Sequence, residues 1–231
     1  MSKTGQMYDW ITNSFNPIGG ECPHICSYCY VKKFRFPSLK EKYSGPPRLY
    51  ENELKRNLGK DKFWFVGSCL DMFANDIPPE WISKTLEHCR KFNNKYLFQT
   101  KNPGGLLFWL NNLPLNAIVG TTIETNRRYP QMGNAPWPML RAHYMEIISK
   151  FKDTMVTVEP VMQFDLMELV ELVKQCNTEW VNIGADSQGH NLPEPPAKKI
   201  EQLIIELEKF TKVKVKKNLK RLYENKEMHN L

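Results

Sequence analysis

The sequence predicts an α/β fold: a partial or open (β/α) barrel of six to seven parallel strands. Three observations carry this expectation. Apolar segments rich in β-formers alternate with segments of helical period, the pattern of βα units feeding a parallel sheet. A cysteine-rich loop follows the first apolar segment, and barrel enzymes carry their chemistry at the carboxyl ends of strands. Polar residues recur at that same end of the later segments. Periodicity alone does not separate a barrel from a doubly wound sheet; the cysteine loop after the first strand favours the barrel.

In order, Ile11 to Ile18 is the first expected strand and leads into the cysteine loop, residues 19–30. Lys62 to Cys69 is a short apolar run and the second. Pro78, Pro79 and Glu80 open a helix to about Phe92, since proline suits a first helical turn. Lys95 to Lys101 is the third strand; Pro103 and two glycines break it, and Leu106 to Leu110 reads as a short helix. Ala117 to Glu124 is the fourth strand, followed by a helix over about Pro138 to Phe151. Thr154 to Val161 is the fifth. Asp165 is placed to cap the next helix, with Glu168 as its reciprocal partner. Glu179 to Ala185 is the sixth strand. Ala197 to Phe210 repeats Ile200, Leu203, Ile204 and Leu207 on one helical face. Thr211 to Lys217 alternates with period two and closes the set as a seventh strand.

A chain of 231 residues with 41% hydrophobic content fits one domain with a sizeable core. No apolar run approaches a membrane span. The stretch MSKTGQMYDWITNS has neither the charge nor the apolar centre of a secretion signal, so a cytoplasmic protein is expected. The net charge of +7 is local: Lys209 to Arg221 holds seven basic residues and no acidic one, and the remaining 25 Lys and Arg match 25 Asp and Glu. Such a stretch suits nucleic acid or a solvated face. Its alternation also fits a strand.

Cys22, Cys26 and Cys29 stand in a Cys-x3-Cys-x2-Cys spacing within GGECPHICSYCY. Three thiolates on one loop can ligate three irons of a cubane [4Fe-4S] cluster and leave the fourth iron open. Gly19 and Gly20 permit a sharp turn before the first cysteine, and Pro23 stiffens the loop after it. A zinc site completed by His24 is the main rival, although structural zinc ordinarily draws on two separated ligand pairs. Disulfides are a weaker one in a chain without a secretion signal. Cys69, Cys89 and Cys176 lie far apart and form no second cluster motif.

This spacing resembles the signature of the radical S-adenosylmethionine (SAM) enzymes, with Tyr28 as the aromatic residue before the last cysteine. The resemblance implies that SAM chelates the open iron, and that an electron from the cluster splits it to a 5′-deoxyadenosyl radical. A flavodoxin or ferredoxin is the implied reductant.

The expected strand ends carry polar groups suited to a SAM site. They are Ser68, Cys69 and Asp71 on the second; Thr100 and Lys101 on the third; and Thr121, Thr122, Glu124 and Thr125 on the fourth. Glu159 lies on the fifth, Asp186 and Ser187 on the sixth, and Lys216, Lys217 and Asn218 on the seventh. Carboxylates there can hold the SAM ammonium or ribose, and hydroxyls its carboxylate or adenine edge. Taken singly, each also reads as a turn cap or surface charge. Glu159 stands out because an unpaired carboxylate inside an apolar strand is costly.

Seven pieces then resemble, in order, the phage Gp37/Gp68-like group of radical SAM proteins: NPIGGECPHICSYCY, VGSCLDMF, LFQTKNP, GTTIET, TVEPV, NIGADS and KVKKNL. In the last, Lys216 falls where the group has a strand-end lysine. The second strand lacks the GGE of many radical SAM enzymes, so Ser68 and Asp71 are the expected substitutes on the SAM ammonium. The resulting expectation is a radical SAM enzyme whose substrate includes a nucleic-acid component. The basic stretch, the Arg127–Arg128 pair and a loose likeness to spore photoproduct lyase motivate that substrate. Cys69 is expected to return a hydrogen atom to a substrate radical, or else to be a small buried core residue. The alternatives are a zinc-stabilised nucleic-acid-binding module and a radical SAM enzyme acting on a peptide or protein.

Overall fold

The computed structural model describes residues 7–224, so the first six residues of the N-terminal stretch lie outside the described chain. Among the described residues nine strands form: β1 (Asn13–Phe15), β2 (Ile18–Gly19), β3 (Arg48–Leu49), β4 (Phe63–Val66), β5 (Lys95–Thr100), β6 (Ala117–Thr122), β7 (Thr154–Val158), β8 (Trp180–Ile183) and β9 (Lys212–Val215). Seven helices join them: α1 (Pro37–Lys42), α2 (Pro79–Arg90), α3 (Pro103–Leu107), α4 (Pro138–Ile148), α5 (Leu166–Gln175), α6 (Ala197–Glu208) and α7 (Arg221–Glu224). No helix among the described residues is long and apolar enough to cross a membrane.

The main sheet has seven strands in the order β1-β4-β5-β6-β7-β8-β9. That order rises monotonically along the chain. A doubly wound sheet reverses its order at a switch point; this one does not, and its winding is that of a (β/α) barrel sheet. The pairings of β1 with β4, β4 with β5, β7 with β8 and β8 with β9 are parallel.

The chain divides into two compact units. One holds Met1–Ile25 and Cys29–Gly120; the other holds Cys26–Tyr28 and Thr121–Leu231. In the first, Phe15, Trp64, Phe65, Tyr96, Leu97 and Phe98 are buried, so β4 and β5 read as near-continuous apolar runs, as parallel strands covered on both faces do. α2 starts on Pro79, covers the sheet with Ile82, Leu86 and Cys89, and burial pushes the Cys89 thiol far up. In the second, all five residues of β7 are buried, and α6 turns Ile200, Leu203 and Leu207 inward. β9 ends the strand order and alternates lysine with valine, a device that discourages edge-to-edge pairing.

Some boundaries differ from the sequence expectation. Ile11 to Ile18 is two strands rather than one: Pro17 has no N–H to give, and β2 pairs antiparallel with β3 in a separate small ladder. Leu106 to Leu110 is displaced: α3 begins at Pro103, capped by Asn102, whose Oδ1 accepts the Gly105 N–H at 3.2 Å. Its glycine is there for approach, because a Cβ on Gly105 would lie 2.6 Å from the Phe73 carbonyl. The reciprocal cap at α5 does not form. Asp165 makes no cap bond and instead accepts from Arg127 and Asn126, while Glu168 accepts from Asn126 at 2.6 Å.

Candidate active site at the cysteine loop and strand ends

The loop opens on two glycines with different reasons. Gly20 has φ +96°, a conformation that favours glycine. Gly19 is extended within β2, and a Cβ there would lie 2.6 Å from both the Lys42 carbonyl and the Tyr50 ring, so close packing rather than turning requires it. Ile25 also sits at positive φ (+53°), strained for a β-branched residue, with its N–H on the Cys22 carbonyl at 3.1 Å. None of the six cysteines is in a disulfide; Cys26 is buried, and Cys22 and Cys29 are half-buried.

In the first unit the loop is held through His24. Its Nε2 lies 2.7 Å from Asp71 Oδ2, which also accepts the Thr100 hydroxyl at 2.9 Å and the Lys101 N–H at 2.8 Å. Burial opposes the charge on Asp71. The adjacent His24 and these donors outweigh it and hold the carboxyl below its ordinary value. Asp71, Thr100 and the Lys101 backbone are thus brought together. Ser68 and Cys69 form a neighbouring group: Asn16 Nδ2 donates to Ser68 Oγ at 3.1 Å and approaches Cys69 Sγ at 3.7 Å, and Tyr30 donates to the Ser68 carbonyl at 2.6 Å. Burial, with Cys69 beside it, pushes the Tyr30 phenol well up, so it acts as a donor.

The second unit holds residues 26–28. Cys26 Sγ donates to the Met132 carbonyl at 3.3 Å, and Ser27 N–H to that of Gln131 at 2.9 Å. Tyr28 donates to Glu124 Oε1 at 2.5 Å. The other Glu124 oxygen accepts from Arg141 Nη1 at 2.8 Å, and the same nitrogen reaches the Thr122 carbonyl. Glu124 and Arg141 are both wholly buried. A second acid group follows β7: Lys216 Nζ lies 2.5 Å from Glu159 Oε2, and Asn218 Nδ2 donates to Glu159 Oε1 at 2.8 Å. Asp186, after β8, accepts from the His190 backbone at 2.5 Å and lies 2.7 Å from His190 Nδ1.

Sequence reasoning missed Arg141, Asn16, Tyr30 and His190. Arg141 left a signal: an arginine on the same helical face as the apolar Ala142, Met145 and Ile148 needs an acid partner. The Arg127–Arg128 pair does not form an open cationic patch. Arg127 is bound to Asp165, and Arg128 donates to the Gly133 and Ala135 carbonyls.

The two metal readings ask different things of the donor set. Zinc draws every ligand to about 2.3 Å or less of one point. Among the described residues no three His, Cys, Asp or Glu side chains converge to hold one ion, and His24 is engaged with Asp71. A cubane gives each thiolate its own iron, so the sulfurs need not meet at a point. Three thiols on one loop, none of them cross-linked, fit the cluster.

No family model and no curated protein sequence matches the chain. Solved structures do. With a spore photoproduct lyase variant the chain shares 14% identity and a TM-score of 0.56, over 82% of this chain and 60% of that one. With SuiB of Streptococcus suis the values are 10% and 0.59, over 94% and 52%. With anSMEcpe carrying bound AdoMet and a peptide they are 12% and 0.50, over 88% and 62%. The chain spans about 60% of the length of the lyase structures it matches. All three neighbours are radical SAM enzymes, and the likeness fixes the architecture of this chain as their partial (β/α) barrel.

Proposed function

We propose that this protein is a radical SAM enzyme of the Gp37/Gp68-like kind, cytoplasmic, with a [4Fe-4S] cluster on Cys22, Cys26 and Cys29. The carrying observation is the cysteine loop itself: three thiols outside any disulfide, with each half of the loop tied down by a carboxylate from a strand end, Asp71 through His24 and Glu124 through Tyr28. When bound, the cluster would supply the electron that releases a 5′-deoxyadenosyl radical from SAM. The chain's own residues then have separate tasks. Asp71 and Glu124 set the loop's shape. Ser68, with Thr100 and Lys101, offers polar contacts for SAM. Thr122 and Glu159 stand at later strand ends for its ribose and ammonium, and Lys216 orients Glu159. Asp186, expected from the sequence to join them, has its oxygens taken by His190 and Gln188 and shapes the loop after β8 instead. Cys69, beside Ser68 and Asn16, is the hydrogen-atom donor to a substrate radical. A flavodoxin or ferredoxin serves as reductant.

The substrate class we favour is a nucleic-acid component. The basic run at residues 209–221 supports it, as does a neighbour, spore photoproduct lyase, solved with a bound dinucleoside photoproduct. A peptide substrate is the second reading, favoured by anSMEcpe with its bound peptide.

Anaerobic reconstitution tests the proposal. Iron and sulfide content, a broad absorbance near ~400 nm and 5′-deoxyadenosine formed with reductant and SAM are all expected. Cys26→Ala should lose all three. A colourless protein that binds zinc stoichiometrically would replace this reading with the zinc module, and SAM cleavage retained in Cys26→Ala would overturn the cluster assignment.

A further inference from the structure

The basic run between Lys209 and Arg221 is sorted by the fold, and the sorting leaves one face charged. Lys216 is neutralised by Glu159 at 2.5 Å. Arg221 is bound by Glu194 through both terminal nitrogens and also donates to the Asp186 carbonyl. Lys214 lies over the Trp180 ring, 4.4 Å from its centroid. Lys217 and Lys220 have no carboxylate partner among the described residues. Both line an open cleft of about 740 Å³ in the second unit, after β8 and β9, together with Ser187, Asn191 and Asn218.

Local geometry puts these two lysines side by side. Residues Lys217–Lys220 form a 3-10 helix, in which side chains at i and i+3 eclipse. A rise of about 2.0 Å per residue sets their stems roughly 6 Å apart on one face. Leu219, wholly buried, and Arg221, clamped by Glu194, fix that helix against the loop that follows β8. The cleft's two acids are occupied. Asp186 accepts from the His190 and Gln188 backbones, and Glu194 holds Arg221. With Arg221 the lining holds three cations against two carboxylates, a formal surplus of one. Lys217 and Lys220 are its two ammonium groups outside an ion pair, flanked by a hydroxyl and side-chain amides, with no aromatic ring in the lining to stack a base.

We propose that this cleft binds the sugar–phosphate backbone of a nucleic acid, with Lys217 and Lys220 on successive phosphates. The spacing is that of neighbouring charges along a strand drawn out beyond its duplex rise of about 3.4 Å. The cleft reads charge and sugar rather than base identity. The proposal rests on the nucleic-acid reading of the substrate and deepens it, but binding here requires neither cluster nor SAM. Its failure is therefore separate from failure of the radical chemistry.

The test is fluorescence anisotropy of the full chain with fluorescein-labelled single-stranded DNA and RNA of about 12 nucleotides, over about 50 to 200 mM salt. Two single-strand phosphate contacts contribute a slope of about −1.4 in log K against log salt, or roughly sevenfold over that range. Lys217→Gln with Lys220→Gln should lower the slope by that amount, with an unchanged thermal midpoint. Lys212→Gln with Lys214→Gln, on β9 and outside the cleft, should leave it within about 0.3 of the parent. An equal drop in that control pair, an unchanged slope in the cleft pair, no binding to either strand, or equal displacement by polyglutamate would each overturn the proposal.

Discussion

Glu124 and Glu159 are both strand-end carboxylates of the second unit, and each meets a cation, but they are built for different ends. Glu124 and Arg141 are 0% exposed, and both Glu124 oxygens are engaged, by Tyr28 and Arg141. Glu159 and Lys216 keep 16% and 21% of their side-chain surface. A sealed pair with its lone pairs filled cannot exchange partners without exposing a charge to a low-dielectric interior. An accessible pair can. Both Glu159 oxygens are engaged too, by Lys216 and Asn218, so the difference is one of exposure: Glu124 is sealed where it holds Tyr28, and under the proposed function Glu159 is the one left within a ligand's reach. That difference also separates stability from chemistry, which substitutions can test.

Arg141→Met should have the largest effect. It strands the Glu124 carboxylate and frees the Pro136 and Thr122 carbonyls that Arg141 also satisfies. Removing one partner of a buried pair costs about 3–5 kcal/mol. Urea unfolding reads that loss directly. A change under about 1 kcal/mol would mean the pair is no more structural than a surface bridge, and the comparison would collapse.

Gly184→Ala comes next. Its Cβ would lie 2.5 Å from Glu159 Oε1 and 3.0 Å from Asn218 Oδ1. The side chain must yield, so a loss of about 1–3 kcal/mol is expected. The informative readout is a fall in SAM affinity alongside it, measured by equilibrium dialysis of the reconstituted protein. Equal loss of stability with unaltered SAM affinity would remove Glu159 from the ligand site.

Asp186 lies between the two extremes, and its effect on stability is smaller. Burial opposes its charge, but the N–H groups of His190 and Gln188 and the His190 ring hold its carboxyl below the ordinary 3.8. A carboxyl depressed in the folded state lends stability above its unfolded value and loses it as pH falls. That contribution is complete above about pH 5 and fades below about pH 4. Asp186→Asn should cost about 1–2 kcal/mol at pH 7 and flatten the acid limb of the urea midpoint. An acid limb equal to the parent's would shift that role to another acid.

The same contrast explains what the sequence could reveal. β7 is legible because every residue of Thr154–Val158 is buried, and α6 because Ile200, Leu203 and Leu207 share a face. Cys22, Cys26 and Cys29 stand out as candidate ligands because their spacing is local. The capping pair Asp165 and Glu168 misleads: Asn126 and Arg127, about forty residues away, compete for the same carboxylates at 2.6–3.1 Å. The β2–β3 ladder escapes because two-residue strands have no period. Glu159 and Glu124 look alike in sequence, since Arg141, Lys216 and Asn218 reach them only through tertiary contact.

Lys216→Met should perturb stability least, by less than about 1 kcal/mol, because the pair it breaks keeps solvent contact and Asn218 still donates to Glu159. Its effect on turnover should be the opposite. Without the ammonium 2.5 Å away, the Glu159 carboxylate loses the group that fixes its direction, and a misdirected positioning group costs rate even where binding survives. The expected pattern is a parental unfolding curve, parental iron content and 5′-deoxyadenosine formation reduced at least tenfold, with Lys216→Arg recovering part of it. If Lys216→Met instead unfolds early and cleaves SAM normally, the accessible pair is structural after all, and the sealed and open carboxylates of this unit would differ in exposure alone.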